Sequence, residues 1–122
     1  MSPTQPSCSA EERIDLAVGR ASERLALRLS AVARGRGALL YLHGFGSVQA
    51  GEKAEFFRAR SVPAGWTFCS LDFRGHGESG GSMRELTLAR NLEDVAAAHA
   101  LLAERGWPEV VLVGSSMGGA TA

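Results

Sequence analysis

Several things that this 122-residue sequence lacks narrow its class before any motif is read. It has no excess of either charge: thirteen basic and thirteen acidic residues cancel, and neither sign clusters. The electrostatic footprint of a nucleic-acid or membrane-surface binder is therefore missing. Its two cysteines, Cys8 in a polar tail and Cys69 in an apolar run, match neither a disulfide framework nor a metal-ligand spacing. Both are read as free thiols, and no metal is expected. No stretch of about 18 apolar residues is present to span a membrane. The opening "MSPTQPSCSA" has neither the basic start nor the apolar stretch of a signal peptide, so a cytoplasmic protein is expected. Lysine is nearly absent, with Lys53 alone against twelve arginines, but this decides no chemistry.

What is present fits a globular domain. Hydrophobic residues make up 45% of a chain long enough to bury a core. Residues 1–12 are rich in Ser and Pro and read as a disordered tail, leaving 13–122 as the folded part. Ile14, Leu16 and Val18 alternate with other types, as do Leu25, Leu27 and Leu29 after a break at Gly19–Glu23. This pattern predicts two half-buried strands paired as a hairpin. Three nearly continuous apolar runs, "ALLYLHG", "WTFCSLDF" and "EVVLVG", fit strands buried on both faces. Helical segments separate them: "GEKAEFFRAR", then Leu88 to about Glu104. In the second, Leu88, Leu92, Val95, His99 and Leu102 form an apolar stripe that ends at Gly106 and Pro108. Strands alternating with helices predict an α/β fold with a mostly parallel sheet.

Three chemistries use glycine-rich turns between a strand and a helix, and each needs different residues. "HGFGSVQ" begins like a dinucleotide fingerprint, but Gln49 stands where that motif needs a third small residue. Gly114 to Gly119 has the glycine spacing of a P-loop, yet Ala120 replaces the lysine that meets the phosphates. The third is G-x-S-x-G, in which a buried strand turns sharply into a helix and exposes a nucleophilic serine. It occurs twice, around Ser79 and around Ser116, and context separates the two. "EVVLV" leads directly into Gly114-Ser115-Ser116-Met117-Gly118, whereas Ser79 sits in the loop sequence "RGHGESGGS". Ser116 is the candidate nucleophile, and the flanking glycines centre on it rather than on Ser115. The backbone N–H groups of Met117 and Phe45 are the candidate oxyanion-hole donors, Phe45 lying in the loop His43-Gly44-Phe45-Gly46 after a strand.

Together "YLHGFGS", "LDFRGHGESGG" and "LVGSSMGG" resemble, in order and separation, the N-terminal half of an α/β-hydrolase. Lys53-Ala54 and the "GSSMGG" elbow look most like small bacterial esterases and acyl-protein thioesterases. The resemblance implies hydrolysis of a small-molecule carboxylic ester or thioester through an acyl-serine, with no metal or organic cofactor. It makes Ser116 the nucleophile and Phe45 and Met117 the oxyanion donors, supported by His43, Gly44, Gly114 and Gly118. The family carries its triad acid and histidine after the nucleophile, and only six residues follow Ser116. An incomplete domain, nearly inactive alone, is therefore expected; the alternative is a non-catalytic remnant or binding module. His43 is expected to shape its turn, His76 to serve as a loop partner and Asp72 to stabilise a turn. His99 is expected to pack on its helix stripe, Glu93 and Asp94 to form a solvated face, and Cys69 to be a core residue.

Overall fold

The computed structural model describes residues 11–32, 37–44, 51–107 and 109–114. The alternating segments form the hairpin their pattern predicts. Strands β1 (Glu12–Val18) and β2 (Glu23–Ser30) pair antiparallel, with Leu16 opposite Leu25 and Ile14 opposite Leu27. The turn between them opens with Gly19 at φ +77°. Leu25, Leu27 and Leu29 are all buried, while Ile14 and Leu16 are half-buried. That difference follows from position, because β1 lies at the edge of the sheet. β1 begins at Glu12, just inside the expected tail; the rest of that tail up to residue 10 lies outside the described residues.

The apolar runs become β3 (Gly37–Leu42), β4 (Trp66–Asp72) and β5 (Val110–Gly114). Helix α1 (Glu52–Ser61) connects β3 to β4, and α2 (Leu88–Glu104) connects β4 to β5. The five strands run in the order β1-β2-β4-β3-β5. β3 pairs parallel with both β4 and β5, and β2 joins β4 antiparallel, so the hairpin extends a parallel sheet into a mixed one. The β2–β4 pairing is non-local, and no local pattern in the sequence states it.

Each face of the sheet has its own apolar layer. On the α2 face, Leu25, Leu27, Leu29, Leu40, Leu42, Cys69, Leu71 and Phe73 pack with Val95, Ala98 and Leu102 of α2. On the α1 face, Tyr41 and Phe68 pack with Ala54, joined by Leu39, Phe57, Val62 and Val113. Alternate residues of β3 thus enter opposite layers, as the period of a strand requires. β5 departs from the expected burial on both faces: Val111 is 47% and Leu112 36% exposed. Among the described strands it has only β3 beside it.

Helix α2 occupies its expected span, with clear start and stop signals. Thr87 caps its N-terminus by accepting the Arg90 N–H, 3.1 Å away. At the other end Gly106 takes φ +104°, the Gly106 N–H reaches the Ala103 carbonyl and the Trp107 N–H the Leu102 carbonyl. This is the paired-bond stop that a left-handed glycine permits. The face the helix buries differs from the expected stripe. Asn91, Asp94, Val95, Ala98 and Leu102 face inward, whereas Leu88 and Leu92 are exposed. His99 is exposed too, which corrects its expected packing role. Asp94, expected on a solvated face, has no exposed surface. Asp94 shares that buried face with Val95, Ala98 and Leu102, and pairs there with a buried arginine from the loop after β4.

Candidate active site

The three parallel strands end together. Leu42, the last residue of β3, lies beside Leu71 of β4 on one side and Gly114 of β5 on the other. The chain passes from β3 over one face to β4, then over the other face, past β3, to β5. Such a reversal opens a crevice at the carboxyl ends of the strands, the usual ligand position in open α/β sheets. His43 and Gly44 follow β3 at this end of the sheet, and Gly114 ends β5 there. Phe45, Ser116, Met117 and Gly118 lie outside the described residues. In sequence they follow the paired residues Leu42 and Gly114.

His43 is wholly buried, and both of its ring nitrogens are engaged. Nδ1 donates to the Gly44 carbonyl at 2.6 Å, and Nε2 accepts the Phe73 N–H at 3.0 Å. The second bond requires an unprotonated Nε2, so the ring is the neutral Nδ1–H tautomer. Burial pushes its pKa below the ordinary 6.5, although the Gly44 carbonyl pulls the other way. His43 thus shapes the turn and ties the end of β3 to the end of β4. Its ring meets Phe73 edge-on at 5.0 Å and lies 4.9 Å from the ring of His76, which is 4% exposed. His76 is a loop partner in this geometry.

Asp72 also does the work of a turn residue. Its carboxylate accepts the Glu78 N–H at 3.0 Å, and its backbone carbonyl accepts the Ser79 hydroxyl. Gly77, at φ +49°, fits against that carboxylate where any Cβ would collide with it. Ser79, the competing G-x-S-x-G serine, is occupied twice, since its Oγ also accepts the Ala26 N–H at 2.8 Å. It fastens the loop to β2 and does not present a free hydroxyl.

Sequence reasoning missed the anchor of this loop. Arg74 is 3% exposed, and its Nε donates to Asp94 Oδ1 at 2.7 Å while its backbone N–H donates to Asp94 Oδ2 at 3.0 Å. The guanidinium also meets Glu93 at 2.7 Å, Glu23 at 3.2 Å and the Arg90 carbonyl at 3.1 Å. Glu93 therefore joins the network although its side chain stays half exposed. The signal available in the sequence was a helix with two adjacent carboxylates and an arginine held in a glycine-rich loop. Cys69 is fully buried, and burial pushes its thiol up to about 12, so it is an unreactive core residue. Among the described residues no cluster of His, Cys, Asp and Glu could hold a metal ion.

A family model described as alpha/beta hydrolase fold matches residues 37–122. The chain belongs to the α/β-hydrolase fold family, and what it contains is the N-terminal part of that fold. Solved structures agree. An esterase of Pyrococcus furiosus superposes with a TM-score of 0.81 at 20% identity, over 93% of this chain and 44% of its own. A putative hydrolase from Agrobacterium vitis S4 gives a TM-score of 0.74 at 32% identity, over 90% of this chain and 41% of its own. Est1E of Butyrivibrio proteoclasticus, solved with ferulic acid bound, gives 0.77 at 18% identity, over 88% and 44%. The chain thus spans less than half the length of the structures it matches. No curated protein matches it significantly in sequence. Among the described residues no helix is long and apolar enough to cross a membrane.

Proposed function

We propose that the protein is a serine hydrolase that cleaves a small carboxylic ester or thioester through an acyl intermediate on Ser116. The observation that supports this reading is the pairing of Leu42 with Gly114, the strand residues that precede the two motifs in sequence. In an acyl-transfer reaction the serine Oγ attacks the acyl carbonyl, and backbone N–H groups hold the oxygen as it gains charge. Met117 N–H follows the nucleophile, and Phe45 N–H comes from the neighbouring loop. Each such donor contributes roughly a hundredfold to a thousandfold in rate. The reaction needs no metal or organic cofactor.

The described histidines are poor candidates for the general base. His43 has one nitrogen engaged by Gly44 and the other by Phe73, His76 is buried against it, and His99 lies on the exposed side of α2. In the family the acid and histidine come after the nucleophile. Loss of the triad histidine lowers turnover by on the order of a millionfold. The 122-residue chain alone is therefore expected to turn over p-nitrophenyl esters barely above background. A longer product that carries the acid and histidine should react with a fluorophosphonate probe, and Ser116→Ala should abolish the labelling. Labelling that survives Ser116→Ala would overturn the assignment. No labelling of that longer product would leave a non-catalytic module as the better reading.

A further inference from the structure

We propose that His43 is a proton-operated latch: a proton on Nε2 breaks its bond to the Phe73 N–H and so undoes the tie between the residues that follow β3 and β4. The neutral ring accepts the Phe73 N–H through Nε2 and donates to the Gly44 carbonyl through Nδ1. Protonation turns Nε2 into a donor that faces another donor, so the Phe73 bond is lost and a buried charge takes its place. The latch sits at zero exposure, which makes that charge costly.

The titratable groups facing the ring are Asp72 at the end of β4 and His76 in the loop beyond it. Asp72 favours the proton, but its carboxylate is committed to the Glu78 N–H. His76 disfavours it, and Phe73 presents only a ring edge. The ring's affinity for a proton is lower in the folded chain than in the unfolded one, where the ordinary value is 6.5. Stability contributed by neutral His43 is thus complete above that ordinary value. It is lost progressively as pH falls from there to the lower folded value, because the unfolded state binds the proton first.

The latch stands without any assumption about catalysis.

The test follows the His43 ring and the Phe73 amide together by nuclear magnetic resonance, from about pH 8 to about pH 5. The ring is expected as the Nδ1–H tautomer at the upper end, with a midpoint below 6.5. Exchange protection of Phe73, corrected for the intrinsic rate, should fall by up to about tenfold per pH unit as pH drops from 6.5 to that midpoint, and level off below it. Protection of Leu40, in the centre of β3, should hold. In His43→Gln, which cannot take the proton, the Phe73 step should vanish; if that variant does not fold, the native titration still decides. A midpoint at or above the ordinary histidine value, or Phe73 protection that stays level all the way down to the midpoint, overturns the latch. If the Phe73 step is present while a triad-bearing product never labels at Ser116, the latch survives and the hydrolase reading fails.

Discussion

At the β1–β2 side of the sheet, the loop after β4 is braced from three directions. Arg74 reaches Asp94 and Glu93 on α2 and Glu23 at the start of β2, while Ser79 grips the β2 backbone. At the β5 side, Val111, Leu112 and Phe56 are exposed. An open cleft of about 550 Å³ there is bordered by Tyr41, Phe57, Val113 and Gly114. The first flank carries a buried ion-pair network, and the second has apolar surface and a strand edge without a neighbour among the described residues. The difference teaches where each flank draws its order. The braced flank is fixed by charge pairing buried away from water, which fails severely when one partner is removed. The open flank has one strand pairing, with Val110 and Val113 packed on the core layers, and its exposed positions are expected to tolerate change.

Substitutions can break or sharpen that contrast. Arg74→Met leaves Asp94 buried without its cation and should cost about 3–5 kcal/mol, read as a lower urea midpoint. Ser79→Ala strands the Ala26 N–H and should cost about 1–3 kcal/mol, with faster amide exchange at Ala26 as the local sign. Removing the α2 cap with Thr87→Ala should cost about 1 kcal/mol, visible in thermal unfolding. Val111→Thr, on the open edge, should stay within about 0.5 kcal/mol of the parent. A large loss from Val111→Thr, or a negligible one from Arg74→Met, would collapse the distinction between the flanks.

Much of the fold was legible because local patterns carry it. Alternation at Leu25, Leu27 and Leu29 gave the hairpin, and the unbroken runs gave the parallel strands. The span of α2 followed from its periodicity and from Gly106. Its orientation did not, because a stripe drawn through Leu88, Leu92 and His99 ranks residues by apolarity alone. Asp94 faces inward for a partner twenty residues away, and no local window contains that pair. The β2–β4 pairing escaped for the same reason. In the candidate site, the turn roles of His43 and Asp72 and the rejection of Ser79 agree with the geometry. Gly114 and Gly44 stand where the strands end side by side. Ser116, Met117 and Phe45 rest on motif and family order, because they lie outside the described residues.

Cys69 carries a practical consequence. It lies in the middle of β4, opposite Leu29 on one side and Leu40 on the other, where the hairpin joins the parallel strands. A thiol sealed at that seam cannot meet a reagent until the seam parts. With Cys8 replaced by serine, the rate at which a thiol-directed dye consumes Cys69 becomes a clock for that opening. The protein thus carries its own chemical stopwatch for the joint between its antiparallel and parallel halves.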